Sequence, residues 1–210
     1  MTPKGQAALG LTLCFIILSS LVVAMRLFTR YRILRNAGPD DWLVVVAHLC
    51  NVALTVTICG QVHYGMGHHT SELSRAYLTG TMQYFYASLP AYYLSLTFTK
   101  LSLLLQCFRI FTSADFGMRL ASWILMGLVV SIGIYTVLAD ILICMPVKKF
   151  WDDSVAGYCV NEEALWLTNA AFNILTDMAI FLLPIKRVAG LQLAPNKKRL
   201  LIVVFGTGFL

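Results

Sequence analysis

The chain has 210 residues, of which 59% are hydrophobic and 12% charged, with a mean hydropathy of +0.75 and a formal net charge of +6. Water-soluble domains carry about a quarter charged residues, so this composition excludes one. The positive charge does not mark a nucleic-acid binder either, because Lys and Arg cluster in short loops between apolar runs, as in membrane proteins.

A bilayer is crossed by roughly 20 apolar residues of helix. Five runs meet that length: about Ala7–Met25, Trp42–Gly60, Tyr84–Phe108, Leu120–Ile143 and Ala164–Leu183. A sixth starts at Leu200 and reaches only Leu210, so the sequence reads as an all-α polytopic bundle in a single domain, C-terminally truncated. The first run is longer than the apolar part of a secretory signal and lacks a small-x-small cleavage site, so it reads as a retained span. Eleven basic residues lie after the odd-numbered spans: Arg26, Arg30, Arg32, Arg35, Arg109, Arg119, Lys186, Arg187, Lys197, Lys198 and Arg199. Only Lys4, Arg75, Lys148 and Lys149 lie on the other side, which predicts an external N-terminus and cytosolic odd loops.

The first loop turns at Gly38-Pro39, and Asp40 or Asp41 is suited to cap the second helix, a role that by itself accounts for the pair. The following loop has His63, His68 and His69 among glycines. Without a cysteine ligand, and with Glu72 as its one acid, it reads as an ordinary polar loop rather than a metal site.

The third span is the most polar. Tyr93, Thr97 and Lys100 share one face, and Ser95, Thr99, Ser102 and Gln106 share another, which predicts a helix surrounded by protein rather than lipid. Pro90 is expected to kink it. The fourth span carries Asp140 near its outer end. In the fifth, Asn169, Asn173, Thr176 and Asp177 fall on one arc facing the bundle, and a stop is expected at Pro184, followed by a basic loop. Intramembrane charges cost about 2.5–3.5 kcal/mol each on insertion scales, so Lys100 is expected to pair with Asp177, or less favourably with Asp140. Cys144 and Cys159 flank a short loop on the external side, where a disulfide is chemically permitted, and Trp151 and Tyr158 are suited to seat that loop at the interface. Cys14, Cys50, Cys59 and Cys107 read as apolar packing residues.

Five stretches stand in order along the chain: Gly38-Pro39-Asp40-Asp41, Tyr64-Gly65-Met66-Gly67-His68, and Thr99-Lys100-Leu101-Ser102 with Arg109-Ile110-Phe111, then Cys144-Met145-Pro146 with Trp151 and Cys159, and Asn173-Ile174-Leu175-Thr176-Asp177 leading into Leu183-Pro184. Taken together they resemble the fungal rhodopsin-domain integral membrane proteins, a group that includes receptor-like proteins with an extracellular CFEM module. The resemblance implies seven helices in the complete protein; the CFEM module is not in this chain. A retinal Schiff base is not implied for Lys100, since a microbial-type retinal lysine lies late in the bundle.

Three function classes follow. A receptor-like sensor in the plasma membrane would recognise an unidentified ligand through His63, His68, His69 and Trp151, and meet a cytosolic signalling partner through its basic loops. A transporter or channel would use Lys100, Asp177 and the Asn stripe as a path, but no inverted repeat is evident. An intramembrane hydrolase built on His48, His63 and Asp140 is least favoured, for want of a paired metal-binding motif. The sensor leads. No catalysis, metal or cofactor is expected, and lipid is the certain partner.

Overall fold

The computed structural model describes residues 3–68, 73–111 and 116–190. His69, Lys197–Arg199 and the sixth run therefore lie outside the described residues. Five long helices follow one another: α1 (Pro3–Phe28), α2 (Pro39–His63), α3 (Arg75–Phe111), α4 (Phe116–Ile141) and α5 (Glu162–Gly190). A π-helical turn, Thr29–Ile33, extends α1, and Arg35 beyond it has a positive φ of 46°. Between α4 and α5 lies a two-stranded antiparallel ribbon, β1 (Cys144–Met145) and β2 (Tyr158–Cys159), with a 3-10 turn at Val147–Phe150.

Burial runs opposite to that of a water-soluble protein. Among the described residues twelve polar or charged side chains are buried against nine hydrophobic ones, while Leu11, Phe15, Leu18, Val22, Trp123, Ile124, Leu138 and Leu167 are exposed. Such an arrangement is stable only where the surrounding solvent is itself apolar, and polar groups gain by turning inward to find partners. The bundle is thus a membrane-embedded one.

The helix ends follow from local chemistry. Pro39 occupies the first turn of α2, where its missing N–H costs nothing, and Asp41 accepts a hydrogen bond from the Gly38 N–H at 3.1 Å. Asn161 accepts from the Ala164 N–H at 3.1 Å to open α5, with Glu162 and Glu163 on the favourable side of its dipole.

α3 is the central element, packed most extensively on α2 and next on α4. Among the described residues four helices are long and apolar enough to cross a membrane by composition alone; α3 is not among them. Five qualifying spans were expected, and the difference has a physical reason. α3 is screened from lipid by its neighbours, so it can hold polar groups that a lipid-facing helix cannot. These form two stripes spaced seven residues apart. Ser88, Ser95 and Ser102 are buried, as is Lys100 on the other stripe with Tyr86 and Tyr93. A seven-residue repeat keeps each stripe nearly in line along a helix, and small serines let α2 approach closely.

Two boundaries differ from the sequence expectation. α3 begins at Arg75, nine residues before the apolar run, and α5 continues through Pro184 to Gly190, so Lys186 and Arg187 fall in helix rather than in a loop. A proline forgoes one backbone hydrogen bond, but a helix with no water to compete for the rest can retain them. α3 likewise continues through Pro90.

Candidate functional site

Polar groups gather at three levels of the bundle, and α3 contributes to each. At one end, the α1–α2 turn brings together Arg26, Arg30, Asp40, Asp41 and Arg109. Arg26 donates to Asp40 at 3.0 Å and to Asp41 at 3.2 Å, and Arg30 stands 3.6 Å from Asp40 and 3.9 Å from Asp41. Arg109 of α3 reaches Asp40 at 3.3 Å, donates to the Asn36 carbonyl at 2.8 Å and also bonds the Asn36 side chain. Arg26 further donates to Gln106 at 3.0 Å, and the Ser102 hydroxyl donates to the Asp40 carbonyl at 2.8 Å. Both carboxylates are sealed, Asp40 at 1% and Asp41 at 0% exposure. The reading of this pair as a helix cap alone is therefore corrected: Asp41 does cap α2, and the two acids also tie α1, α2 and α3 together. Arg26 and Arg30, four residues apart, share one face of α1 and the π turn that extends it.

Midway along the bundle, Lys100 lies against α5. Its ammonium donates to the Asn173 carbonyl at 3.0 Å, to Asn173 Oδ1 at 2.5 Å and to Thr176 Oγ1 at 2.7 Å, and stands 3.1 Å from Asp177 Oδ1. Lys100 and Asp177 are thus brought together. Beside them a cavity of about 20 Å³ is lined by Tyr93, Thr97, Lys100, Thr136, Asn169 and Asn173 among others. That space admits one water-sized particle. Across it, Gly133 lets α4 close on α3: a Cβ there would stand 2.6 Å from the Thr97 side chain. On the opposite side of α3, Ser95 donates to Asn51 of α2 at 2.8 Å.

Towards the ribbon, Asp140 and Asn169 are both buried, and neither finds a hydrogen-bond partner among the described residues; the same holds for Trp166 Nε1. Asp140 therefore stands apart from Lys100. Tyr86, which faces it, donates its hydroxyl proton to the Ile141 carbonyl at 2.7 Å.

The ribbon caps this layer. Cys144 and Cys159 are joined by a disulfide, with Cys144 buried beside Ile143 and Leu165. Phe150 stacks on Phe85, and Trp151 meets Tyr86 edge-on with centroids 5.6 Å apart. Trp151 is thus part of the seat of the loop, while Tyr158 is exposed. Ser154 donates to Asp152 through both its hydroxyl and its backbone N–H, which holds the Asp152 carboxyl below its ordinary range. His63 and His68 border an open depression of about 410 Å³ with Leu73 and Tyr77. Among the described residues no group of three His, Cys, Asp or Glu side chains could share a metal ion.

Sequence reasoning missed the three-helix arginine–aspartate cluster and the unpartnered layer. The first had a signal in the excess of arginines flanking an acidic pair. The second had none, since it depends on which helix faces which.

Comparison with known proteins places the chain. The fungal rhodopsin domain matches residues 25–210. The chain is 26% identical over 194 residues to the polyenoic acids biosynthesis gene cluster protein Ba17b of Metarhizium anisopliae, covering 90% of this chain and 52% of that protein. It is 32% identical over 111 residues to a SAT4 family membrane protein of Emericella nidulans (52% of this chain, 29% of that protein). It is 26% identical over 213 residues to Receptor GIN3 of Arthrobotrys oligospora (92% and 47%). The chain spans about half the length of the first of these and less than a third of the second. No solved structure matches it. The chain belongs to the fungal rhodopsin domain family, as an integral membrane helical bundle.

Proposed function

We propose that this bundle is the membrane part of a non-catalytic, receptor-like sensor in the plasma membrane. The observation that carries the reading is the interior itself. Lys100 and the arginine–aspartate cluster are bonded helix to helix, and the cavity beside Lys100 admits one water-sized particle, which suits a switch between packed states better than a path for solutes. The similarity to a protein named as a receptor supports the same reading.

In this reading the N-terminus is external, following the arginine-rich odd loops. The recognition surface comprises the His63–His68 turn and the Cys144–Cys159 loop, whose disulfide lowers the ordering cost of binding. Arg26, Arg30 and Arg109 then lie at the cytosolic end, where the basic loops meet a signalling partner.

The test is reconstitution of the full-length protein in liposomes with measurement of ion and solute flux, beside a cellular response assay. The sensor reading expects no flux, and a response lost when residues 144–159 are replaced. Substantial flux abolished by Asp177→Asn would replace it with a transporter.

A further inference from the structure

Three helix faces meet around Asp140. α4 presents Gly133, Thr136 and Asp140, α5 presents Asn169 and Asn173, and α3 presents Tyr86, Tyr93 and Lys100. Among the described residues, Lys100 and Asp177 lie well inside the spans, while Asp140 sits one residue from the ribbon end of α4. Lys100 and Asp177 neutralise each other at 3.1 Å. The three N–H donors of the Lys100 ammonium are taken by Asn173, Thr176 and Asp177, so none is left for Asp140. Tyr86 has spent its proton on Ile141. The Tyr93 hydroxyl is near Asn169 but does not satisfy its amide.

Asp140 is left as a buried carboxyl group at 1% exposure, with neither oxygen partnered among the described residues. An uncompensated buried carboxylate is neutralised by a proton or by a cation that the site can admit. Asn169, which like Asp140 lies by Tyr93, has a buried Oδ1 with no partner among the described residues, and Asn169 and Thr136 line the cavity of about 20 Å³ together with Lys100, with Asp140 outside its lining. The available donors are hard oxygens: carboxylate, amide carbonyl and hydroxyl. With one acid and neither His nor free Cys, they suit a singly charged ion better than a transition metal. The volume excludes an organic ammonium.

We propose that Asp140, Asn169 and Thr136 bind one small monovalent cation of the sodium class between α3, α4 and α5. The ion supplies the missing charge and a partner for the Asn169 carbonyl. It also joins α4 to α5 beneath the disulfide-linked ribbon. The site stands whether the bundle signals or transports, since its occupancy is read at equilibrium without ligand or flux.

The experiment uses the full-length protein purified in detergent. Binding of ²²Na⁺ is measured by scintillation proximity. Thermal unfolding is followed in NaCl and in choline chloride at equal ionic strength, from acidic to alkaline pH. The expected result is saturable ²²Na⁺ binding, and a melting temperature raised by roughly 5 °C at a hundredfold excess of Na⁺ over its Kd. Asp140→Asn should abolish both effects. Asn169→Ala and Thr136→Val should each weaken Na⁺ binding about tenfold, or 1.4 kcal/mol, and they carry the test if Asp140→Asn does not fold. Equal melting temperatures in Na⁺ and choline without saturable binding would overturn the proposal. So would unchanged Na⁺ affinity in both weaker variants. Stabilisation that follows falling pH regardless of Na⁺ would assign the charge to a proton on Asp140 and overturn it as well.

Discussion

Replacing Lys100 by Met and Asp177 by Asn, singly and together, tests the pairing that joins α3 to α5. At 3.1 Å two unit charges attract by about 5 kcal/mol at an effective dielectric constant of about 20. That gross figure must be reduced, because the Asp177 side chain keeps 37% of its exposure against 9% for Lys100. A coupling of about 2 kcal/mol is the expected net. The single variants should be unequal. In Asp177→Asn the ammonium keeps Asn173 and Thr176 as acceptors and gains a neutral amide oxygen, so the cost is about 1–2 kcal/mol. Lys100→Met removes all four contacts at once and leaves Asp177 without its cation, at about 2–4 kcal/mol. Unfolding free energies in mixed micelles, compared around the double-mutant cycle, give the coupling directly. A double variant whose loss equals the sum of the singles within about 0.5 kcal/mol would refute the pairing.

Asp40→Ala should cost about 3 kcal/mol or more, since three arginines lose a sealed acceptor, whereas Ser102→Ala should cost only about 1 kcal/mol; the comparison is read from unfolding in the same micelles. Cys144→Ser, Cys159→Ser and the double variant should each destabilise by about 3 kcal/mol for a separation of 15 residues, and chemical reductant should reproduce the shift in the parent protein alone. Gly133→Val should cost about 1–3 kcal/mol by forcing α4 off Thr97, with partial recovery in Gly133→Val/Thr97→Ala, measured by thermal unfolding. Under the proposed topology, a cysteine placed at position 197 should resist impermeant maleimide in intact cells, and labelling there would reverse the assignment.

What could be foreseen and what could not divide along the range of the interactions. Helix existence rests on local apolar content, so α1, α2, α4 and α5 are legible directly. The protein environment of α3 is legible too, because two polar faces on one helix leave no stripe for lipid. Its start at Arg75 is not, because hydropathy falls in the turns before Tyr84 while the backbone hydrogen bonds continue. The disulfide followed from two cysteines on one short loop. Asp40 shows the opposite case. Beside Gly38-Pro39 an acidic pair is fully explained by capping, and nothing local hints that partners arrive from 14 and 69 residues away. Asp140 and Asn169 are legible as buried polar groups, but their lack of partners emerges only when three helices are placed.

The two stripes of α3 explain why one helix can serve all three levels. Ser95 and Ser102 reach Asn51 and the Asp40 carbonyl on α2, and Arg109 continues that line into the arginine–aspartate cluster. Two residues away, nearly opposite on the helix, Tyr93 and Lys100 face α4 and α5. A displacement of α3 along its axis therefore cannot change one set of contacts alone. Moving Lys100 by one residue's rise, about 1.5 Å, would carry it beyond hydrogen-bonding distance of at least some of its acceptors, and Arg109 would shift against Asp40 by the same amount. Because short polar contacts in an apolar medium are either made or replaced by others, any shift of such a helix would be between discrete positions rather than a slide. The disulfide-linked ribbon rests on Tyr86 through Phe150 and Trp151, so a load placed on that loop falls first on α3. The proposed sensor would use this mechanical property: one rigid element touched at its ribbon end by the loop and at its other end by the charged cluster.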